Sequence, residues 1–184
     1  MQWSKAKRRA ESLLAPSVAG RVALRVTGYR AAHDAEGRGW ITVDGEEAWS
    51  FCTLRYFVEY YKLAHGIRVA NRGTDFRDPV QSDAYYAAGN KADAILEQRG
   101  VVSRSYFQAA VERYPDLPVD EALVSNNLVH RALAVLDRRL GKRRLGKLEF
   151  RTDEHPLVMG LYRFRCSSEG VSVPGDTGRG RTRG

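Results

Sequence analysis

The residues of this 184-residue chain most able to do chemistry are its cations, which come in two dense runs. Residues 1–31 hold seven Lys and Arg against one acid, and residues 131–151 hold eight against two, so each short run carries a net +6. Residues 32–130 reverse the sign, with fifteen acids against ten bases, and the overall +8 is therefore bipolar. Binding a polyanion by counterion release needs several cations on one surface, not cations scattered over a sphere. Lys5, Arg8 and Arg9 in the first run, and Arg138, Arg139, Lys142, Arg143, Arg144 and Lys147 in the second, are the candidate phosphate-contacting residues. Arg outnumbers Lys by 24 to 6, which suits bidentate phosphate contacts, although GC-rich coding produces the same bias. Favourable interaction with a helix C-terminal dipole, about 0.3–1 kcal/mol per cation, accounts for one or two of the second run and leaves the others unexplained. No helix-turn-helix, zinc-finger, KH or RRM pattern accompanies these runs. The expected partner is nucleic acid or another polyanion, recognised through backbone charge without sequence readout.

A second constellation is the loop 29–39, Y-R-A-A-H-D-A-E-G-R-G. It gathers His33, Asp34, Glu36 and Arg38 with two glycines that allow close backbone approach to a ligand. His33 as a base oriented by Asp34, with Arg38 as an anion contact, makes the alternative expectation a small enzyme acting on an anionic or phosphorylated substrate. Against it, neighbouring side chains in a strand or turn point apart, and G-R-G is too short for a phosphate-binding loop. A third expectation is a protein-partner or self-association module, in which the acidic middle and basic ends pair with another chain or a second copy.

Other sets are weaker. His33, His65, His130 and His155 are dispersed, and Cys52 and Cys166 stand far apart without a C-x-x-C spacing, so no metal, cofactor or disulfide framework is expected. Asp44 with Glu46 and Glu47, and Glu59 with Lys62, have nuclease-like residue types without the spacing that would make them specific. Aromatics beside arginines, at Tyr56 and Phe57 and at Tyr106 and Phe107, have the chemistry to stack bases, but Phe57 and Phe107 fall on apolar helical faces and read as core.

These residues must be held by elements that the hydrophobic periodicity outlines. Trp3, Ala6, Ala10, Leu13 and Leu14 recur at helical steps from Ser4 as N-cap to Pro16. Val22, Leu24 and Val26 alternate as in a strand with one buried face. Residues 40–43 and 46–51 flank Asp44-Gly45, a two-residue type I′ signal, and that register sets Trp40 opposite Trp49. Helical spacing returns at Leu54, Phe57, Val58 and Tyr61, closing at His65-Gly66. Further helices are expected from Asp78-Pro79 to Gly100, from Ser105 to Pro115, from about residue 119 to Gly141 with Val129, Leu133, Leu136 and Leu140 on one stripe, and from about Asp153 to Glu169.

The fold class is therefore α+β: an N-terminal helix, a three-stranded antiparallel meander with a D-G hairpin, then a helical C-terminal two-thirds packed on the sheet. Residues 1–170 are expected to form a single domain and residues 171–184 a disordered Gly/Arg-rich tail. With 43% hydrophobic residues the composition is that of a globular chain. No apolar run approaches the roughly 20 residues a membrane span needs, and the charged start does not read as a signal peptide, so a cytoplasmic location and no membrane partner are expected. The segments M-Q-W-S-K, Y-R-x-x-H-D-x-x-G-R-G-W-I-T-V-D-G, E-Y-Y-K-L-A and L-D-R-R-L-G-K-R-R-L together resemble a bacterial family of uncharacterised conserved proteins, up to about Gly170. The resemblance implies a single conserved domain and carries no activity, cofactor or catalytic residue with it.

Overall fold

In the computed structural model the described residues are 2–29 and 36–173, so His33, Asp34 and most of the expected tail lie outside them. The chain runs through α1 (Trp3–Glu11), β1 (Val22–Gly28), β2 (Gly37–Val43), β3 (Glu46–Cys52), α2 (Thr53–Ala70), α3 (Ser82–Gln98) and α4 (Arg104–Arg113). A 3-10 turn (Tyr114–Asp116) then leads to α5 (Val119–Leu123), α6 (Leu128–Ala134), α7 (Lys142–Leu145) and α8 (Pro156–Glu169). The expected class holds: an N-terminal helix, an antiparallel sheet in the order β1-β2-β3, and a mostly helical remainder. Two compact units share the chain. One comprises residues 1–23, 42–46 and 110–184, the other residues 24–41 and 47–109.

The sheet follows its sequence pattern. Val22 and Leu24 of β1 are buried while Ala23 and Arg25 are not, the alternation that a half-buried strand imposes. Asp44 and Gly45 both take positive φ, 51° and 90°, as the type I′ turn requires. Arg21 secures this turn, its Nε and Nη2 donating to the two Asp44 carboxylate oxygens at 2.8 and 2.6 Å.

Within the second unit, Phe107 of α4 lies on the sheet. Its ring stacks on Phe51 of β3 at 4.8 Å, and both side chains are fully buried, which for a residue of this size contributes about 2 kcal/mol each. Gly39 of β2 makes room for this contact: a Cβ there would sit 2.2 Å from Phe107 Cδ1. Trp49 Nε1 donates to the Gly100 carbonyl at 3.2 Å, and the Arg104 amide donates to Thr53 Oγ1 at 3.1 Å, tying the start of α4 to the start of α2. Helices α2 and α3 pack antiparallel, with Tyr56 Oη donating to Asp93 at 2.6 Å near one end and the Arg68 guanidinium 3.7 Å above the Tyr85 ring near the other.

Several boundaries differ from the sequence reading. Helix α1 starts at Trp3 with Gln2 as N-cap and no side-chain cap bond, in place of Ser4. Helix α2 runs through Gly66 to Ala70, with its last turn packed on α3 through Arg68 over Tyr85, a contact of the same order as the roughly 1 kcal/mol that a mid-helix glycine costs. Helix α3 begins at Ser82. Asp78 and Gln81 bond to each other, Gln81 Nε2 to Asp78 Oδ2 at 2.7 Å, in place of a capping box, and Gln81 Oε1 accepts the Thr74 amide at 3.2 Å and holds the segment as a turn. Ser103 rather than Ser105 caps α4, its Oγ accepting the Tyr106 amide at 3.1 Å. Helix α8 starts at Pro156, capped by His155 Nδ1, which accepts the Leu157 amide at 3.1 Å. It ends on Gly170 in the left-handed conformation, φ 63°.

The largest departure is the long helix expected from about residue 119 to Gly141, which is two short helices and an irregular turn. Ser125 Oγ accepts the Asn127 amide, and Asn127 Oδ1 accepts the amides of Val129 and His130 at 2.9 and 3.1 Å. Such side chains offer the backbone an alternative to continuous helix. Val129, Leu133, Leu136 and Leu140 are nonetheless all buried.

Replacing Gly39 by Ala forces Phe107 off its position and should cost about 1–3 kcal/mol, the usual range for overpacking. A lowered urea midpoint with unchanged slope is the expected reading; an unchanged midpoint would mean the ring moves aside freely.

Candidate functional site

The two basic runs meet in the first unit through backbone bonds. Leu14 and Asp137 form an isolated antiparallel bridge, flanked by Ala15 N–H to the Leu136 carbonyl at 2.8 Å and Arg138 N–H to the Leu13 carbonyl at 2.7 Å. At this junction the Asp137 carboxylate is buried. It accepts from Tyr114 Oη at 2.5 Å, from Arg139 Nε at 3.0 Å and Nη2 at 2.8 Å, and from the Arg139 amide at 2.7 Å. Arg139 Nη1 reaches on to the Leu117 carbonyl at 2.8 Å. From α8, the buried Arg165 donates to the carbonyls of Val135, Asp137 and Leu140 at 3.0, 2.7 and 2.5 Å, while its Nε pairs with Glu169 at 3.0 Å. The irregular turn after α6 thus has its carbonyls satisfied by an arginine from another helix, the condition for burying non-helical backbone. Burial, reinforced by the Asp137 carboxylate, pushes the Tyr114 phenol well above its ordinary range.

Residues 116–120 lie between the basic runs and draw a cation from each. Arg9 of α1 pairs with Asp116 at 2.5 Å, Arg139 takes the Leu117 carbonyl, and Arg144 of α7 pairs with Asp120. Three of the nine candidate cations are therefore paired with the protein's own carboxylates. The other six, Lys5, Arg8, Arg138, Lys142, Arg143 and Lys147, are exposed and have no carboxylate partner among the described residues. Lys5 and Arg8 lie on α1, Arg138 follows the Asp137 junction, and Lys142 and Arg143 lie on α7, anchored by the buried Leu145. Arg131 and Arg151 at the borders of the second run are paired, with Glu154 at 3.3 Å and Asp153 at 3.0 Å.

The loop 29–39 is described only at its two ends, and the candidates His33 and Asp34 fall outside the described residues. Arg38 pairs with Glu47 at 3.0 Å and lies 4.5 Å over the Trp40 ring. Tyr29 Oη is 3.5 Å from Cys52 Sγ. Cys52 is the N-cap residue of α2. Burial opposes its thiolate, but the Arg55 amide, the Tyr29 hydroxyl and the Leu54 amide, with the charge of Arg38, outweigh burial and draw the thiol below its usual pKa. Residue type alone did not single this cysteine out; its place just before Thr53 and a helical pattern was the available signal. Asp44 is committed to Arg21, and Glu59 to Arg55 at 2.8 Å, so neither nuclease-like set is assembled. No group of three potential metal ligands occurs among the described residues.

Fold and site together define a small α+β protein in which backbone bonds beside the buried Asp137 carboxylate join two basic segments, six of whose candidate cations are exposed. The chain belongs to the SF0329 protein family, whose family model matches residues 2–166, from α1 into α8. It is a family of uncharacterised proteins. No curated protein and no solved structure matches the chain.

Removing the Asp137 carboxylate leaves the buried Tyr114 hydroxyl without its acceptor and frees the exposed Arg139, so Asp137→Ala should lower stability by about 1–3 kcal/mol in urea unfolding. The Tyr114 shift fixes a sign. Because the folded phenol titrates above the unfolded one, its contribution is complete below pH ~10 and is lost as pH rises through the folded pKa. The stability of wild-type protein should therefore fall more steeply above pH ~10 than that of Tyr114→Phe. Parallel alkaline profiles for the two proteins would show that the phenol is not held by Asp137.

Proposed function

We propose that this protein acts in the cytoplasm, binding nucleic acid or another polyanion without strong sequence preference through the cation-rich rim of its first unit. One observation carries the reading. The Leu14 to Asp137 bridge joins two basic runs more than a hundred residues apart, and six exposed cations on them have no acid partner among the described residues. Internal neutralisation makes those six informative: Asp116 and Asp120 take one arginine from each run, and the remainder carry uncompensated charge that costs self-repulsion unless a counterion layer or a polyanion offsets it. Contact through phosphates alone fits the absence of any base-reading motif. No helix among the described residues is long and apolar enough to cross a membrane.

Six phosphate contacts give a log–log dependence of affinity on salt near −5, since each contributes about −0.9 on duplex DNA. Fluorescence anisotropy with a labelled duplex, between about 50 and 200 mM salt, should show that slope. Replacing Arg8, Arg138 and Arg143 by Ala should flatten it by about 3 and weaken binding equally on unrelated sequences. Affinity indifferent to salt, or no binding at about 50 mM, would refute the reading.

A further inference from the structure

The exposed face of α2 belongs to the second unit and plays no part in the polyanion reading. A helix packed on one side normally turns charge outward. Here the inward side is supplied by Tyr56, Tyr60 and Ala64 toward α3. The outward side carries Leu54, Phe57, Val58, Tyr61 and Val69, which are 44, 38, 69, 63 and 54% exposed. Leu54, Phe57, Val58 and Tyr61 recur at three- and four-residue steps over the first half of the helix, and the exposed His65 continues the line to Val69 in its last turn. The Phe57 and Tyr61 rings stack on each other at 6.2 Å, so the centre of the stripe is ordered before anything binds.

The exposed apolar surface of these five residues is on the order of 500 Å², at the upper end of what a monomer's largest patch carries. Two such faces placed together approach about 1,000 Å² in total, the lower bound for a specific interface and the range of a weak, reversible one. The charges beside the stripe indicate what covers it. Arg55, Glu59 and Lys62 follow one another along one flank, alternating in sign. Glu59 bonds Arg55 through a single oxygen, and Lys62 has no carboxylate partner among the described residues. If α2 pairs with a second α2 running the opposite way about an axis between residues 60 and 61, Glu59 of each copy faces Lys62 of the other. The contact then repeats by symmetry, as an isologous dimer requires. Parallel pairing sets this flank against the opposite, aromatic one and makes neither ion pair.

We infer that a second copy of this chain docks on the α2 face, forming a weak antiparallel α2–α2 dimer centred on Tyr61. Sedimentation velocity from about 1 to 200 µM tests it, with dissociation constants expected in the range of tens of micromolar. Val58→Glu, at a position that makes no buried contact, should weaken dimerisation at least tenfold while leaving the Tm unchanged. Glu59→Lys and Lys62→Glu should each weaken it as well, because each sets like charges opposite one another. Mixing these two variants should restore dimerisation, since in the heterodimer every such contact is again acid to base. A wild-type protein that stays monomeric throughout, a Val58→Glu variant that dimerises as well as wild type, or a mixture no more associated than its components would each overturn the inference. Because the polyanion surface lies in the other unit, its salt-slope test can fail or succeed without bearing on this one.

Discussion

Much of the first unit depends on one buried carboxylate. An isolated ionised Asp in a protein interior is so costly that it must be paired and fully hydrogen-bonded or it does not stay charged. Asp137 meets that condition with a phenol, a bidentate guanidinium and a backbone amide. Each donor comes with a piece of chain attached: Tyr114 brings the 3-10 turn, and Arg139 brings the start of the basic segment and, through the Leu117 carbonyl, residues 116–120. The Asp137 backbone pairs with Leu14 and so fixes the exit from α1. Arg165 closes the same turn from α8 by donating to three of its carbonyls. Such a turn contributes little stability relative to an apolar core of the same volume; what it supplies is a single arrangement of segments that would otherwise have several.

That arrangement determines what the surface charge can do. Nine candidate cations read from sequence become three that pair with the protein's own carboxylates and six exposed ones with no carboxylate partner among the described residues. Asp116 and Asp120 belong to the acidic middle of the chain, and the protein uses them to pin the two basic runs on either side of residues 116–120. The bipolar sequence is therefore partly an internal matter: opposite charges far apart along the chain are neighbours in the fold. The excess that remains uncompensated supports the polyanion reading, which rests on fewer residues than the composition suggests but on better-placed ones.

Local chemistry was legible in the sequence wherever it decided the outcome alone. The Asp44-Gly45 turn follows from residue types that tolerate the positive φ it needs, and the alternation in β1 from the two-residue period of a half-buried strand. Where side chains compete with the helix, the sequence was ambiguous. Ser125 and Asn127 break an apolar stripe whose 3.6-residue spacing is otherwise continuous, and periodicity could not weigh their bonds against it. Gly66 erred in the other direction, since its propensity argued for a stop and the helix continues through it to pack Arg68 on Tyr85. The Arg residues of L-D-R-R-L were legible as cations but not as a structural Arg139 beside an exposed Arg138. That distinction exists only because Asp137, two positions before Arg139, is buried.

The central claim is that the Asp137 junction makes one binding surface from two distant basic runs. Lysine acetylation footprinting on a DNA-bound sample tests it most directly, because five of the six lysines divide between the proposed surface and α2 and α3. The account predicts joint protection of Lys5, Lys142 and Lys147 on adding duplex DNA, with Lys62 on α2 and Lys91 on α3 modified as in the free protein. Protection of Lys5 without Lys142 and Lys147, or protection centred on Lys62 and Lys91, would contradict it.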